Sequence, residues 1–146
     1  MVVLAACSSP PGLPSLPSGT LTIASGGATV AIAVQIARTA ERRERGLMGR
    51  GALAPDAGMV FLEDGPTSAT FWMKDTLIPL SIAFWGSDGR IVDLQDMQPC
   101  RADPCPLYRS TAPYVGAVEV NLGFFAAHGI HVGDAVRLTE TPPSSM

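Results

Sequence analysis

The sequence predicts a mainly β fold, a small β-barrel or sandwich, and three observations lead there. Apolar residues recur at period two or in short runs of about four to eight, the spacing of half-buried or buried strands. Gly, Pro and Asp clusters separate those runs, as turns do. Helical periodicity surfaces only twice and briefly, so strands follow strands, as in a sandwich or barrel rather than a βαβ fold.

Taken in order, Leu21-Thr22-Ile23 is a short strand, and Ser25-Gly26-Gly27 turns it into the next. There Val30, Ile32, Val34 and Ile36 alternate with smaller or polar residues, which buries one face. Thr39 then caps a helix of about three turns. Glu41 and Arg45 take the favourable i,i+4 order, Leu47 and Met48 close the apolar side, and Gly46 stands near the end. Strands return with Gly58 to Leu62, Ala69 to Met73 and Leu80 to Trp85. Ser87-Asp88-Gly89 makes a hairpin turn into Arg90 to Met97. Val115 to Val120 is a further strand, Leu122 to His128 a short helix ended by Gly129, and Val136 to Thr139 the closing strand.

Hydrophobic residues make up 47% and charged residues 16%, enough apolar material for a core and too much for wholesale disorder. The formal net charge of −3, with no basic stripe, argues against nucleic acid as a partner. No stretch reaches the roughly 18 apolar residues of a membrane span.

The N-terminal residues carry an address. Leu4-Ala5-Ala6-Cys7 resembles the lipobox of bacterial lipoproteins, in which a cysteine after small residues is lipidated. A basic region and a full apolar stretch do not precede it, so residues 1–7 read as the remnant of a longer signal peptide. Residues 8–19, rich in Pro, Ser and Gly, read as a tether. Residues 20–140 then form a single β-rich domain, and 141–146 a disordered tail. The expected location is extracytoplasmic, with lipid on Cys7 holding the protein at the bacterial membrane. Cys100 and Cys105, with four residues of a Pro-containing loop between them, then form an even pair suited to a structural disulfide. Their spacing matches neither a CxxC redox motif nor a common zinc knuckle.

The densest chemistry lies in Phe71-Trp72-Met73-Lys74-Asp75-Thr76-Leu77-Ile78-Pro79-Leu80, which places a cation, a carboxylate and a hydroxyl at a strand end. With Arg45-Gly46-Leu47-Met48 and Arg50, with Gly58-Met59-Val60-Phe61, and with Val118-Glu119-Val120-Asn121, Gly123, Gly129-Ile130 and Gly133-Asp134, it resembles the family catalogued as domain of unknown function 192. The resemblance spans roughly Val34 to Leu138. It implies a small β-rich fold in bacterial and archaeal proteins that are often exported, and no established activity. Asp75 stands where that family usually has Asn, and Ser81 where it usually has Asp.

Arg50, Trp72, Lys74, Asp75, Thr76 and Glu119 are the expected ligand-binding residues, with Lys74, Asp75 and Glu119 converging beside Trp72 as an aromatic wall. A structural ion-pair network at a strand corner accounts for the same residues. The leading expectation is a non-catalytic binding or accessory module at the cell envelope, meeting a small molecule or an envelope protein. The alternatives are a small hydrolase-like enzyme using Lys74, Asp75 and Glu119, and a copper(I) or other metal-binding envelope protein. For the latter, Met48, Met59, Met73 and Met97 offer thioethers, and His128 with His131 a pair of imidazoles. Met59 and Met73, however, fall within apolar strand patterns, and turn histidines are usually solvated. No Gly-x-Ser-x-Gly elbow or Gly-rich phosphate loop is present, and no cofactor is expected.

Overall fold

The computed structural model describes residues 15–143. Its strands are β1 (Ser18–Ser25), β2 (Ala28–Ala37), β3 (Ala57–Thr67), β4 (Leu80–Trp85), β5 (Ile91–Met97), β6 (Tyr114–Asn121) and β7 (Ala135–Glu140), with helices α1 (Ala40–Arg45) and α2 (Phe124–Ala127). Cys7 and most of the expected tether lie outside the described residues. β1 begins at Ser18, two residues before the expected start of the domain.

The strands form one sheet in the order β5-β4-β6-β3-β2-β1-β7, so the predicted mainly β class is what the chain adopts. The sheet is not closed along its length, yet its two edges meet at one end. Arg90 and Ala135 form a bridge there. Ile91 N–H donates to the Asp134 carbonyl at 2.9 Å, and Val136 N–H to that of Gly89 at 2.7 Å. The curl spares those edge groups the open pairing that invites aggregation.

The β1–β2 hairpin turns on Gly26 and Gly27, both at positive φ, as a tight two-residue hairpin demands. Every strand pair is antiparallel except β2–β3, which is parallel. A parallel pair needs a crossover. α1 and the loop after it supply one, so a single β-α-β unit sits inside an otherwise antiparallel sheet.

α1 is six residues long rather than three turns. Thr39 caps it as expected, its hydroxyl accepting from Arg42 N–H at 3.2 Å. Gly46 then takes φ +48 and ends the helix against Phe61, whose ring tip would lie 3.3 Å from a Cβ at that position. The expected strand Ala69 to Met73 is likewise corrected to a single bridge between Phe71 and Tyr108, with N–H···O distances of 2.9 and 2.8 Å. The chain leaves the sheet after Thr67 and crosses one face instead of extending it.

Period-two alternation sorts the side chains onto two faces. Leu21, Ile23, Ile32, Val34, Val60, Val118 and Val120 pack with α2's Phe124 and Phe125 on one. Met59, Phe61, Ile82, Phe84, Ala117 and Tyr114 lie on the other, beneath Leu47, Met73 and Met97. Phe61, Phe71, Phe84 and Tyr114 make edge and tilted contacts there, with centroids 4.9–6.2 Å apart. Such pairs add about 0.5–1.5 kcal/mol each beyond the area they bury.

Candidate functional site

Glu119 occupies the middle of β6, and its parity puts it on the face of Ala117, Met59 and Phe61. Its register partners are Met59 on β3 and Ile82 on β4, both fully buried. Glu119 itself is 5% exposed, the one buried carboxylic acid among the described residues. No described residue donates a hydrogen bond to its carboxyl, and the oxygens are not sealed off but reached from the pocket. Burial alone pushes it up to about 8, so the group is mostly protonated at neutral pH.

That carboxyl opens onto a pocket of about 500 Å³. One wall is the end of α1 with the turn after it, including Arg43, Leu47 and Met48. The other is the crossing segment with Phe71, Trp72 and Thr76, overhung by Leu107. Phe61 and Tyr114 complete the aromatic lining. The Tyr114 hydroxyl donates to the Ala69 carbonyl at 2.8 Å, which ties the crossing segment to β6, and burial raises that phenol to about 12.

The rim is charged, with Glu44 and Arg45 exposed and Arg43 paired to Glu63. Arg43 Nε lies 3.3 Å from Glu63 Oε1, and the same guanidinium donates to the carbonyls of Leu62, at 3.0 Å, and Arg38. Trp72 is 39% exposed, with the Lys74 ammonium 5.2 Å from its ring centroid.

Of the expected site residues, Trp72, Thr76 and Glu119 share this pocket. Lys74 and Asp75 face solvent, and neither forms an ion pair among the described residues. Asp75 serves through its backbone, at φ +52, accepting from Gly49 N–H at 2.8 Å. The Thr76 hydroxyl donates to the Lys74 carbonyl at 3.2 Å. Arg50 lines a separate hollow beside α1, where its guanidinium bonds the Gln35 side chain.

Cys100 and Cys105 are joined, their Cα atoms 5.4 Å apart. Their loop holds the pocket wall, since Cys100 N–H donates to the Met73 carbonyl at 3.4 Å and Tyr108 bridges Phe71. Among the alternative ligands, Met59, Met73 and Met97 are enclosed in the apolar face. The His128 ring stacks on Phe124 with centroids 4.1 Å apart. No group of three His, Cys, Asp or Glu among the described residues is placed to hold a metal ion.

Comparison with known proteins gives a family without a known activity. The model of domain of unknown function 192, described as an uncharacterized ACR, matches residues 21–138. The chain belongs to that family. A crystal structure from Sinorhizobium meliloti 1021, described as that of a candidate transcription regulator, is similar at 29% identity with a TM-score of 0.81. It covers 87% of this chain and 98% of its own. A protein of unknown function from Novosphingobium aromaticivorans DSM 12444 is similar at 32% identity and a TM-score of 0.79, covering 92% and 94%. Among curated proteins, none matches.

In this family member, Ser81 donates from its hydroxyl to Asp96 at 2.7 Å and accepts from Gly123 N–H at 3.0 Å. It thus joins β4, β5 and the start of α2 on the far side from the pocket. Sequence reading missed Arg43, Phe61, Tyr114 and Leu107 as pocket residues. Parity signals Phe61, two residues from Met59 on the strand beside Glu119, whereas Leu107 becomes visible only once the disulfide loop is placed.

Proposed function

We propose that this domain is a small-molecule-binding module of the cell envelope. The observation that carries the reading is the Glu119 carboxyl, largely buried, without a partner among the described residues and open to an aromatic-lined pocket. Apolar walls with a small number of polar groups are how ligand sites are usually built, and this carboxyl is reached from the pocket, with no donor from the described residues. An acid near pH 8 would also suit proton transfer, the enzymatic alternative. Binding is favoured because the lining holds no Ser, Cys or His, the Thr76 hydroxyl is bonded to the Lys74 carbonyl, and Glu63 is paired with Arg43.

The envelope address is part of the proposal. The joined Cys100 and Cys105 support it, since disulfides persist in oxidising compartments. Cys7 would carry the lipid. The regulator description belongs to the Sinorhizobium protein, and the net charge of −3 lends it no support in this chain.

Titration of isotope-labelled protein with indole tests the pocket. Saturable amide shifts confined to Phe71, Trp72, Tyr114, Glu119 and their neighbours are expected. Shifts that are absent or scattered over the surface at millimolar indole refute it. Replacing Cys7 with Ser should move the protein from the membrane to the soluble fraction, and unchanged fractionation refutes the anchor.

A further inference from the structure

A ligand entering the pocket meets the Glu119 carboxyl, which no described residue hydrogen-bonds, and the pocket narrows the choice of chemistry. Against an anion, two cations line the pocket and neither is offered to its floor: Arg43 is already held by Glu63 and by two carbonyls, and Arg45 is exposed to solvent next to Glu44 in the chain. A neutral carbonyl compound could accept from protonated Glu119 but would gain nothing special from the aromatic lining. An organic cation gains from both, because aromatic rings attract ammonium groups. The mouth already shows that pairing, with the Lys74 ammonium over the Trp72 ring.

We infer, on the pocket reading above, that the ligand is a small organic ammonium ion with an apolar or aromatic body, and that Glu119 is its counter-ion. Binding is then coupled to a proton. Glu119 is mostly neutral when the pocket is empty near pH 7 and must ionise as the ammonium enters. The other charged or titratable groups on elements packed around it are Glu41, Arg42, Arg43, Glu44 and Arg45 on α1, Glu63 and Asp64 on β3, Lys74 and Asp75 on the crossing segment, and Tyr114 on β6. None of them contributes to holding Glu119 neutral, for which burial is the cause.

The test uses 2-phenylethylammonium and its neutral isostere 2-phenylethanol as probes, by calorimetry on the full chain and on Glu119→Gln. Between about pH 6 and about pH 8, the ammonium should bind up to about tenfold more tightly per pH unit, while the amine keeps its own charge. It should release close to one proton, read from the dependence of heat on buffer, and outbind the alcohol by at least about tenfold at the upper pH. Glu119→Gln should erase that preference while keeping the alcohol's affinity. If the alcohol binds equally well and without proton release, the ammonium inference falls and the pocket reading stands. If neither probe binds, both fall. Should Glu119→Gln fail to fold, proton release and the pH profile of the unmodified protein decide alone.

Discussion

Replacing Glu119 with Gln should remove a penalty that the fold carries at alkaline pH. The carboxyl ordinarily titrates at 4.5, and burial lifts it to about 8 in the folded chain. Between those values the native state holds a proton that the unfolded state has lost, so stability falls as pH rises through the window. At about 1.4 kcal/mol for each pH unit, the loss has a ceiling near 5 kcal/mol, and water entering from the pocket will reduce it. Gln matches the protonated acid in size and neutrality and does not titrate. Urea denaturation should therefore find the two proteins nearly equal at about pH 5 and the variant more stable by about 2–5 kcal/mol at about pH 9. Other perturbed groups act elsewhere. Tyr114, raised to about 12, matters only at strongly alkaline pH. Asp134 is held below its usual range by the His131 backbone N–H, and acts in acid. Both are present in both proteins and cancel in the difference. A difference that stays flat from acid to alkaline pH, or that favours the native Glu as pH rises, would refute a neutral, unpartnered Glu119.

Three further outcomes follow from the geometry. Tyr114→Phe loses the bond to the Ala69 carbonyl and should cost about 1 kcal/mol in denaturant unfolding, with the pocket wall loosened in hydrogen exchange. Gly116→Ala would set a Cβ 2.2 Å from the Trp85 ring, so overpacking should cost about 1–3 kcal/mol or more, and an unchanged midpoint would contradict the placement of that ring. Lys74→Met should change the melting midpoint little, by less than about 1 kcal/mol, because the ammonium is exposed and held by Trp72 rather than by a buried carboxylate.

Where local pattern and tertiary structure agree, the sequence was informative. β4 runs from Leu80 to Trp85 as its apolar residues predict, and β2 follows the alternation of Val30 to Ile36 closely. The Ser25-Gly26-Gly27 turn and the Thr39 cap are chemistry that acts within a few residues. The failures are non-local. Ala69 to Met73 has strand composition, but its neighbour across the bridge comes from the loop around the disulfide, which no periodicity announces. The parallel β2–β3 pairing is a matter of which strands become neighbours, and the one helix expected between them did not announce it in a sequence otherwise made of successive strands. The site divided along the same line. Trp72, Thr76 and Glu119 came together, whereas Lys74 and Asp75 were drawn in by adjacency in the chain, although positive φ at Asp75 turns the segment outward there.

Glu119 is where local consistency and fold part company, and that makes its presence an argument. Its neighbours in register are Met59 and Ile82, and its strand otherwise obeys the rule that a buried face is apolar. A Leu or Met at position 119 would satisfy packing and propensity together. The acid instead leaves a lone polar group at the floor of a pocket and a stability that declines toward alkaline pH. A structural role would show a donor returning the cost, as Ser81 does for Asp96 and Arg43 for Glu63. Among the described residues Glu119 has none, and its carboxyl is reached from the pocket instead. Departures from local consistency of this kind gather at functional sites, and here the missing partner is one that a ligand can bring.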